Sequence, residues 1–415
     1  MNFPRKIALP AALLIASSVP SIMFAQNYIQ TNLVTDAVTT ATALTIDPNL
    51  KNPWGITRSP SSPFWVGDNN AGISTLYNGA GTPQALVVKI PGPNGSPANF
   101  VSAPTGVVFN GAAAEFELTP GNAATAAKFM FVTEDGTISA WAGGAAATIE
   151  VDNSANPTAA DGAVYKGATI AEYKGNFYLY VTNFRSGHVE VYDTNFNRVT
   201  LFNDDDDHHH DWSDDHHHDH FGDRFDDRIP RGFAPFNIQN IGGSLFVTYA
   251  KQDKAKHDDV AGTGNGFVDI YTPGGRLESR LQPGPWFNSP WGAVWTPRDF
   301  GTFSNRVLIG NFGSGKIAVF DGFDGNFIGF MEDPNNNPIV IDGLWSLIFG
   351  NSALGCPSVP PTAPAADVPA SGPLPKCGAA GPYNSLFFTA GPNGEANGLF
   401  GTLTPVATEL GGDFE

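Results

Sequence analysis

Basic side chains are scarce: 22 lysines and arginines stand against 40 aspartates and glutamates in 415 residues, for a formal net charge of −18. Nucleic acid and anionic membrane surfaces both require clustered Lys and Arg, so the balance argues against either as a main partner. Only two cysteines occur, Cys356 and Cys377, and no Cys-x-x-Cys pair offers redox chemistry. No apolar run reaches the ~20 residues that span a membrane. There is no Gly-x-Ser-x-Gly elbow to support a serine hydrolase and no EF-hand loop. Glycine and proline, by contrast, are abundant at 47 and 33. Both are costly inside helices, which argues against a bundle or coiled coil.

The N-terminus predicts export. Arg5 and Lys6 form a basic n-region, residues 7–16 an apolar h-region, and Ala25 a small residue at a cleavage point, giving a signal peptide over residues 1–25. The segment is too short for a membrane anchor, and Pro10 and Pro20 interrupt it. Neither a cysteine for lipid attachment nor a hydrophobic C-terminal tail is present. The expected compartment is extracytoplasmic, periplasmic or secreted, with no membrane anchor. In such an oxidising space Cys356 and Cys377 are expected to pair and close the Pro-rich loop 356–377. In the loop-entropy picture that bridge contributes roughly 3 kcal/mol.

Internal repetition is the strongest signal. Six units open on a turn followed by a short strand, at Asn52–Ile56, Ala103–Val107, Lys166–Ile170, Ala234–Ile238, Ser289–Ala293 and Gly343–Leu347. Their small or polar markers, Gly55, Gly106, Thr169, Asn237, Gly292 and Ser346, recur at intervals of 51 to 68 residues. After each opener come an aromatic-rich apolar run, a Gly-bearing polar turn and a second alternating run, as in Phe64–Val66 followed by Ile73–Tyr77. Period-2 alternation bounded by Gly, Asn and Asp is a strand-and-hairpin pattern. Repeated every ~40–50 residues, it predicts an all-β, six-bladed β-propeller in one domain over residues 26–405, with a tail at 406–415. A row of β-sandwiches would need separate cores and linkers at each boundary.

The Trp-Gly openers, together with the strand ends Val181-Thr182-Asn183-Phe184 and Ile309-Gly310-Asn311-Phe312, resemble a family of uncharacterised secreted bacterial propellers. That family is distantly similar to the NHL-repeat and SMP-30 (gluconolactonase-like) six-bladed group. The resemblance covers nearly the whole mature chain and implies propeller architecture and export, with no defined activity.

Two residue sets invite a metal. Residues 204–228 hold seven of the nine histidines, with eleven Asp against two Arg. His208, His209, His210, Asp211, His216, His217, His218 and His220 mix imidazole, which suits Zn, Cu and Ni, with carboxylate, which suits Ca. Sequence so charged cannot bury a core and is expected to be a disordered insert; the alternative to metal capture is a solvated acidic loop. The second set lies at equivalent strand ends: Asp68, Glu134, Asn183 and Asn311, with Tyr249 and Ala390 in the remaining units. A propeller brings such positions round its axis, where carboxylates and amides suit a divalent ion. In the lactonase-like propellers a Glu/Asn/Asp set near the axis binds such an ion; here the residue types are present without that motif. The competing reading is turn chemistry, which Asn and Asp favour at bends.

Other features carry less. Gly310–Lys316 fits G-x-x-x-x-G-K, but Ile317 follows and a strand pattern replaces the helix that a phosphate loop needs, so no nucleotide is expected. Gly262–Gly266 reads as a loop. Trp54, Trp291 and Trp345 either stack a ligand on a rim or pack internally, and packing is favoured. His188 has no nucleophile beside it in sequence. The expectation is a non-catalytic binding or scaffold module, its partner a protein or small molecule at a propeller face, with divalent metal capture by the insert. The alternative is a lactonase-like, metal-dependent hydrolase or lyase at the axis. No catalytic residue is assigned.

Overall fold

Each alternating run named above is a β-strand in a computed structural model of the chain, which describes residues 27–201, 229–353 and 378–406. The signal peptide, the Asp/His insert with its histidines, both cysteines and residues 407–415 lie outside the described residues.

The chain enters through β1 (Tyr28–Thr35) and β2 (Thr45–Ile46) and then lays down one four-stranded antiparallel sheet after another. The first is β3 (Pro53–Thr57), β4 (Phe64–Asp68), β5 (Ile73–Tyr77) and β6 (Val88–Lys89). The second is β7 (Pro104–Phe109), β8 (Phe129–Thr133), β9 (Thr137–Trp141) and β10 (Thr148–Asp152). The third is β11 (Tyr165–Tyr173), β12 (Asn176–Asn183), β13 (His188–Tyr192) and β14 (Arg198–Val199). The fourth is β15 (Phe233–Ile241), β16 (Ser244–Lys251), β17 (Gly266–Tyr271) and β18 (Leu277–Arg280). The fifth is β19 (Pro290–Trp295), β20 (Arg306–Asn311), β21 (Ile317–Asp321) and β22 (Phe327–Phe330). The sixth runs β23 (Leu344–Phe349), β24 (Leu386–Ala390) and β25 (Leu399–Pro405).

β1 completes that last sheet. It pairs antiparallel with β25 from Tyr28↔Pro405 to Thr35↔Leu399, so the start of the described chain supplies the fourth strand beside its end. The first strands form a ring: β3 touches β7, β7 touches β11, and so on through β15 and β19 to β23, which returns to β3. The apolar core divides accordingly. Six clusters fill the six seams between neighbouring blades, and a seventh lies on the axis. At the closing seam Phe64 of the first blade packs on Phe387 and Phe400 of the sixth, ring centroids 4.6 and 5.6 Å apart. The molecule is a closed six-bladed β-propeller, all-β and single-domain. No helix among the described residues is long and apolar enough to cross a membrane.

The small residue in each opener has a packing reason. In all six blades the first strand bulges at the same point, between Pro53 and Ile56, Pro104 and Val107, Tyr165 and Gly167, Pro235 and Asn237, Pro290 and Ala293, and Leu344 and Leu347. The bulged backbone approaches the next blade's first strand closely. A Cβ on Gly106 would lie 2.8 Å from the amide nitrogen of Ala168, and one on Gly292 2.7 Å from the carbonyl oxygen of Trp345. Neither backbone atom can move aside cheaply. This register corrects one assignment from sequence: the third blade's marker is Gly167, not Thr169, two residues earlier in the strand.

Candidate functional site

Aligning the six bulges places Trp54, Thr105, Lys166, Phe236, Trp291 and Trp345 at one equivalent position on the six inner strands. Five of these side chains are uncharged, and four of them are aromatic and buried in the axial cluster. Trp54 stacks on Trp345 at 3.6 Å between centroids, Phe312 stacks on the same indole at 3.9 Å, and Trp291 meets both tryptophans edge-on. Two of the three indole nitrogens find partners, Trp291 donating to the Lys166 carbonyl at 3.3 Å and Trp345 to Asn52 Oδ1 at 3.1 Å, while that of Trp54 is buried without one among the described residues. The tryptophans therefore pack on the axis and are not a rim for ligand stacking.

Lys166 is the exception in this layer, a lysine whose side chain is 1% exposed. Its ammonium lies over Trp54 at 4.9 Å and Phe184 at 5.8 Å, faces whose quadrupole favours a cation. Its charge is met by Glu134 Oε1, to which Nζ donates a short hydrogen bond, and by Asp258 Oδ1 at 3.6 Å. Glu134 Oε2 accepts from Asn69 at 2.9 Å, and Asn52 donates to Glu395 Oε2 at 2.8 Å. His257 Nδ1 and Asp258 Oδ1 are 2.8 Å apart. Glu134 comes from the turn after β8; His257 and Asp258 come from the long connection between β16 and β17. The mouth is thus assembled from separate blades.

The electrostatics are lopsided. Burial holds the carboxyls of Asp135, Asp259 and Glu395 above their ordinary range, with repulsion added by Glu134 at Asp135, by Asp258 at Asp259, and by Glu134 and Asp259 at Glu395. The hydrogen bond to Asp258 raises the His257 imidazole, and the same bond lowers Asp258. Five carboxylates therefore gather around one ammonium and one imidazole, and the mouth is negative. Donor atoms of Glu134, His257 and Asp258 lie within 4.8 Å of one another. A tetrahedral Zn²⁺ with ligands at ~2.1 Å needs donors ~3.4 Å apart, so the 2.8 Å contact between His257 and Asp258 would have to open and Lys166 would have to release its carboxylates. One imidazole and two carboxylates suit Zn²⁺ or Mn²⁺ better than an all-oxygen ion such as Ca²⁺.

Of the four strand-end residues proposed from sequence, the structure brings only Glu134 to this place. Asp68 Oδ2 accepts from the Thr75 amide and hydroxyl at 3.0 and 2.8 Å, inside its own blade. Asn183 holds the Val164 and Ser186 amides and Glu190, and Asn311 holds the Asn288 amide and the Lys316 carbonyl. In these three turns the carbonyl of the polar residue also accepts from a glycine four positions on, Gly72, Gly187 or Gly315. All three glycines have positive φ, which suits them to close the turn. The second blade's turn is one residue shorter. Thr133 is the register partner of Pro104, as Asp68 is of Pro53, and Gly136 bonds back to Thr133. Glu134 is displaced from the turn position, which frees its carboxylate for the axis. His188 lies half-buried at the start of β13, the register partner of Asn183.

Lys166, His257, Asp258, Asp259 and Glu395 were not singled out in the sequence. The available signal was a charged Lys-His-Asp-Asp run in an overlong hairpin connection of the fourth unit.

Fold and site together define a six-bladed β-propeller with a charged mouth over an aromatic axial layer. No family model matches the chain. By sequence it is similar to the uncharacterized proteins R640 and L690 of Acanthamoeba polyphaga mimivirus. R640 is 29% identical over 311 residues, 74% of this chain and 52% of that protein, so the chain spans about half of R640's length. L690 is 29% identical over 318 residues, 72% of this chain and 74% of that protein. These relatives are viral, whereas the sequence resemblance implied a bacterial family. By structure the chain is similar to the Penicillium chrysogenum alpha-L-arabinanase, with a TM-score of 0.50, 11% identity and coverage of 93% of this chain and 100% of that one. It is also similar to virginiamycin B lyase from Staphylococcus aureus, with a TM-score of 0.41, 10% identity and coverage of 92% and 99%. At such identities the likeness concerns the fold alone.

Proposed function

We propose that this chain is an exported, non-catalytic binding propeller whose axial mouth takes up a divalent cation through Glu134, His257 and Asp258. The observation that carries this reading is the convergence of one imidazole and two carboxylates within 4.8 Å, beside a buried ammonium that already balances two of them. Lys166 then acts as an internal counter-cation, and the divalent ion competes with it. The surplus carboxylates Asp135, Asp259 and Glu395 favour positive ligands at long range. Export rests on the basic and apolar pattern of residues 1–25, and the Cys356–Cys377 bridge belongs to the same proposal. Residues 204–228 supply a second, less selective metal-binding segment.

Calorimetric titration separates the two metal sites. Zn²⁺ and Mn²⁺ are titrated into the full chain, into a deletion of residues 204–228, and into that deletion carrying His257→Ala and Asp258→Asn. The expected result is loss of the weaker heat on deletion and of the remaining heat with the double substitution. Equal binding by all three proteins would refute both sites.

A second reading, a metal-dependent hydrolase or lyase at the axis, is supported by one feature: Lys166 Nζ lies within reach of Glu134 and Asp258, where it could move a proton beside a bound ion. Turnover of a lactone panel that requires added metal and is lost in Lys166→Met would favour it over the binding role.

A further inference from the structure

Below the aromatic layer the axis opens again. A cavity of about 740 Å³ is lined by residues from all six inner strands, among them Thr57, Val108, Ile170, Val294 and Leu347. Its walls come from residues that follow the Trp54 and Trp345 positions along each strand, so it lies on the other side of the axial layer from the charged mouth. Each inner strand is the terminal strand of its sheet, which leaves one backbone edge without a strand partner. The volume falls within the range of small-molecule pockets, roughly 300–1,000 Å³, in which apolar walls and a few polar groups fix the ligand.

One fixed charge in this wall is unusual. Arg58 donates from Nε to the Phe349 carbonyl at 2.6 Å and from Nη2 to the Gly350 carbonyl at 2.7 Å, tying the first blade to the sixth. Carbonyls satisfy donors but leave the positive charge uncompensated. No carboxylate among the described residues pairs with it: burial alone acts on the guanidinium and pulls it down to about 10. Glu172 also lines the cavity but is exposed, where solvent screens it. A half-buried guanidinium without a counter-ion is costly, and an anion that brought its charge to Nη1 would offset that cost.

We propose that this cavity binds an organic carboxylate with an apolar body, its carboxylate paired with Arg58 and its hydrocarbon against Val108, Ile170, Val294 and Leu347. With Nε and one N–H of Nη2 already engaged, Arg58 meets the ligand through Nη1 and the remaining Nη2 N–H. Apolar walls then supply most of the selection for the body, and the charge supplies the selection for the head. This site is independent of the cation mouth.

Octanoate, 1-octanol and inorganic phosphate are titrated calorimetrically into the full chain, with chelator present so that the mouth contributes nothing. Octanoate is expected to bind at least tenfold more tightly than octanol, and phosphate not to bind measurably. Arg58→Met, which keeps the side-chain bulk, should abolish the preference for octanoate over octanol. Arg58 also clasps the sixth blade, so a variant that leaves its contacts intact is needed as well: Val294→Trp should remove binding of both octyl probes. Equal affinity for octanoate and octanol in wild type, phosphate binding as tight as octanoate, or octanoate binding that survives Val294→Trp would each overturn the proposal.

Discussion

Lys166 occupies the inner-strand position that Trp54 occupies in the first blade, and its ammonium lies 4.9 Å from the centroid of that tryptophan's ring. One repeat position thus carries an aromatic floor in four blades and a cation in another. The ion pair with Glu134 joins two adjacent blades at the point where the remaining acids gather.

Removing that cation should have opposite effects on stability and on metal affinity. In Lys166→Met, Glu134 and Asp258 lose their counter-charge, and breaking a buried pair costs about 3–5 kcal/mol. Glu134 keeps some solvent contact, so the lower end is expected, read as a shift in the urea midpoint. The same variant should bind Zn²⁺ at least tenfold more tightly, because the competing ammonium is gone.

The close approach at the inner strands predicts intolerance of a single methyl group. Gly106→Ala would place a carbon 2.8 Å from the Ala168 amide nitrogen. The first strands of the second and third blades would have to separate, at a cost of about 1–3 kcal/mol. Gly143, whose added Cβ meets nothing within 4 Å, is the control. Gly143→Ala should leave the urea midpoint within about 0.5 kcal/mol of wild type.

Ring closure predicts sensitivity at Tyr28. Its hydroxyl donates to the Phe300 carbonyl at 2.7 Å and accepts from the Phe303 amide at 3.2 Å, binding β1 to the neighbouring fifth blade. Tyr28→Phe leaves both buried backbone groups without this partner, a loss of about 1–3 kcal/mol in chemical denaturation. An unchanged midpoint would show that the closing strand adds little to the ring.

Glu150 on β10 gives a pH signature. Burial pushes its carboxyl up to about 7 from an ordinary value of 4.5. The native state therefore holds this proton more tightly than the unfolded state does, and stability falls as pH rises from about 4.5 through 7. Glu150→Gln should remove that contribution. The variant should gain about 1 kcal/mol over wild type at pH 8, after allowance for solvent screening, and nothing relative to wild type at pH 4. Parallel urea titrations at the two pH values measure the difference.

The propeller could be read from sequence because each blade repeats the same period-2 pattern and the same Gly-marked turns, and local alternation survives any uncertainty about tertiary contacts. Register was harder. In the third blade Lys166 replaces the expected aromatic, and the sequence pattern points to Thr169 whereas Gly167 is the residue at the bulge. The site depended on features that pattern does not encode. Asp68, Asn183 and Asn311 share a strand-end position because the turn needs an acceptor there, while Glu134 reaches the axis because its turn is shorter. His257 and Asp258 lie in a connection with no counterpart in the other units, and only the closed ring brings that connection beside Lys166. The closing role of β1 was likewise invisible until its partner, β25, could be seen beside it.

The central claim is that the axial mouth holds a divalent ion, and anomalous X-ray scattering from crystals soaked in Zn²⁺ tests it most directly. The deletion of residues 204–228 is the protein to use, so that the histidine-rich segment cannot contribute. One strong anomalous peak bonded to Glu134, His257 and Asp258 is expected, with Lys166 Nζ withdrawn from both carboxylates. Crystals with no peak at this mouth, or with Zn²⁺ bound elsewhere while the Lys166–Glu134 pair stays closed, would contradict it.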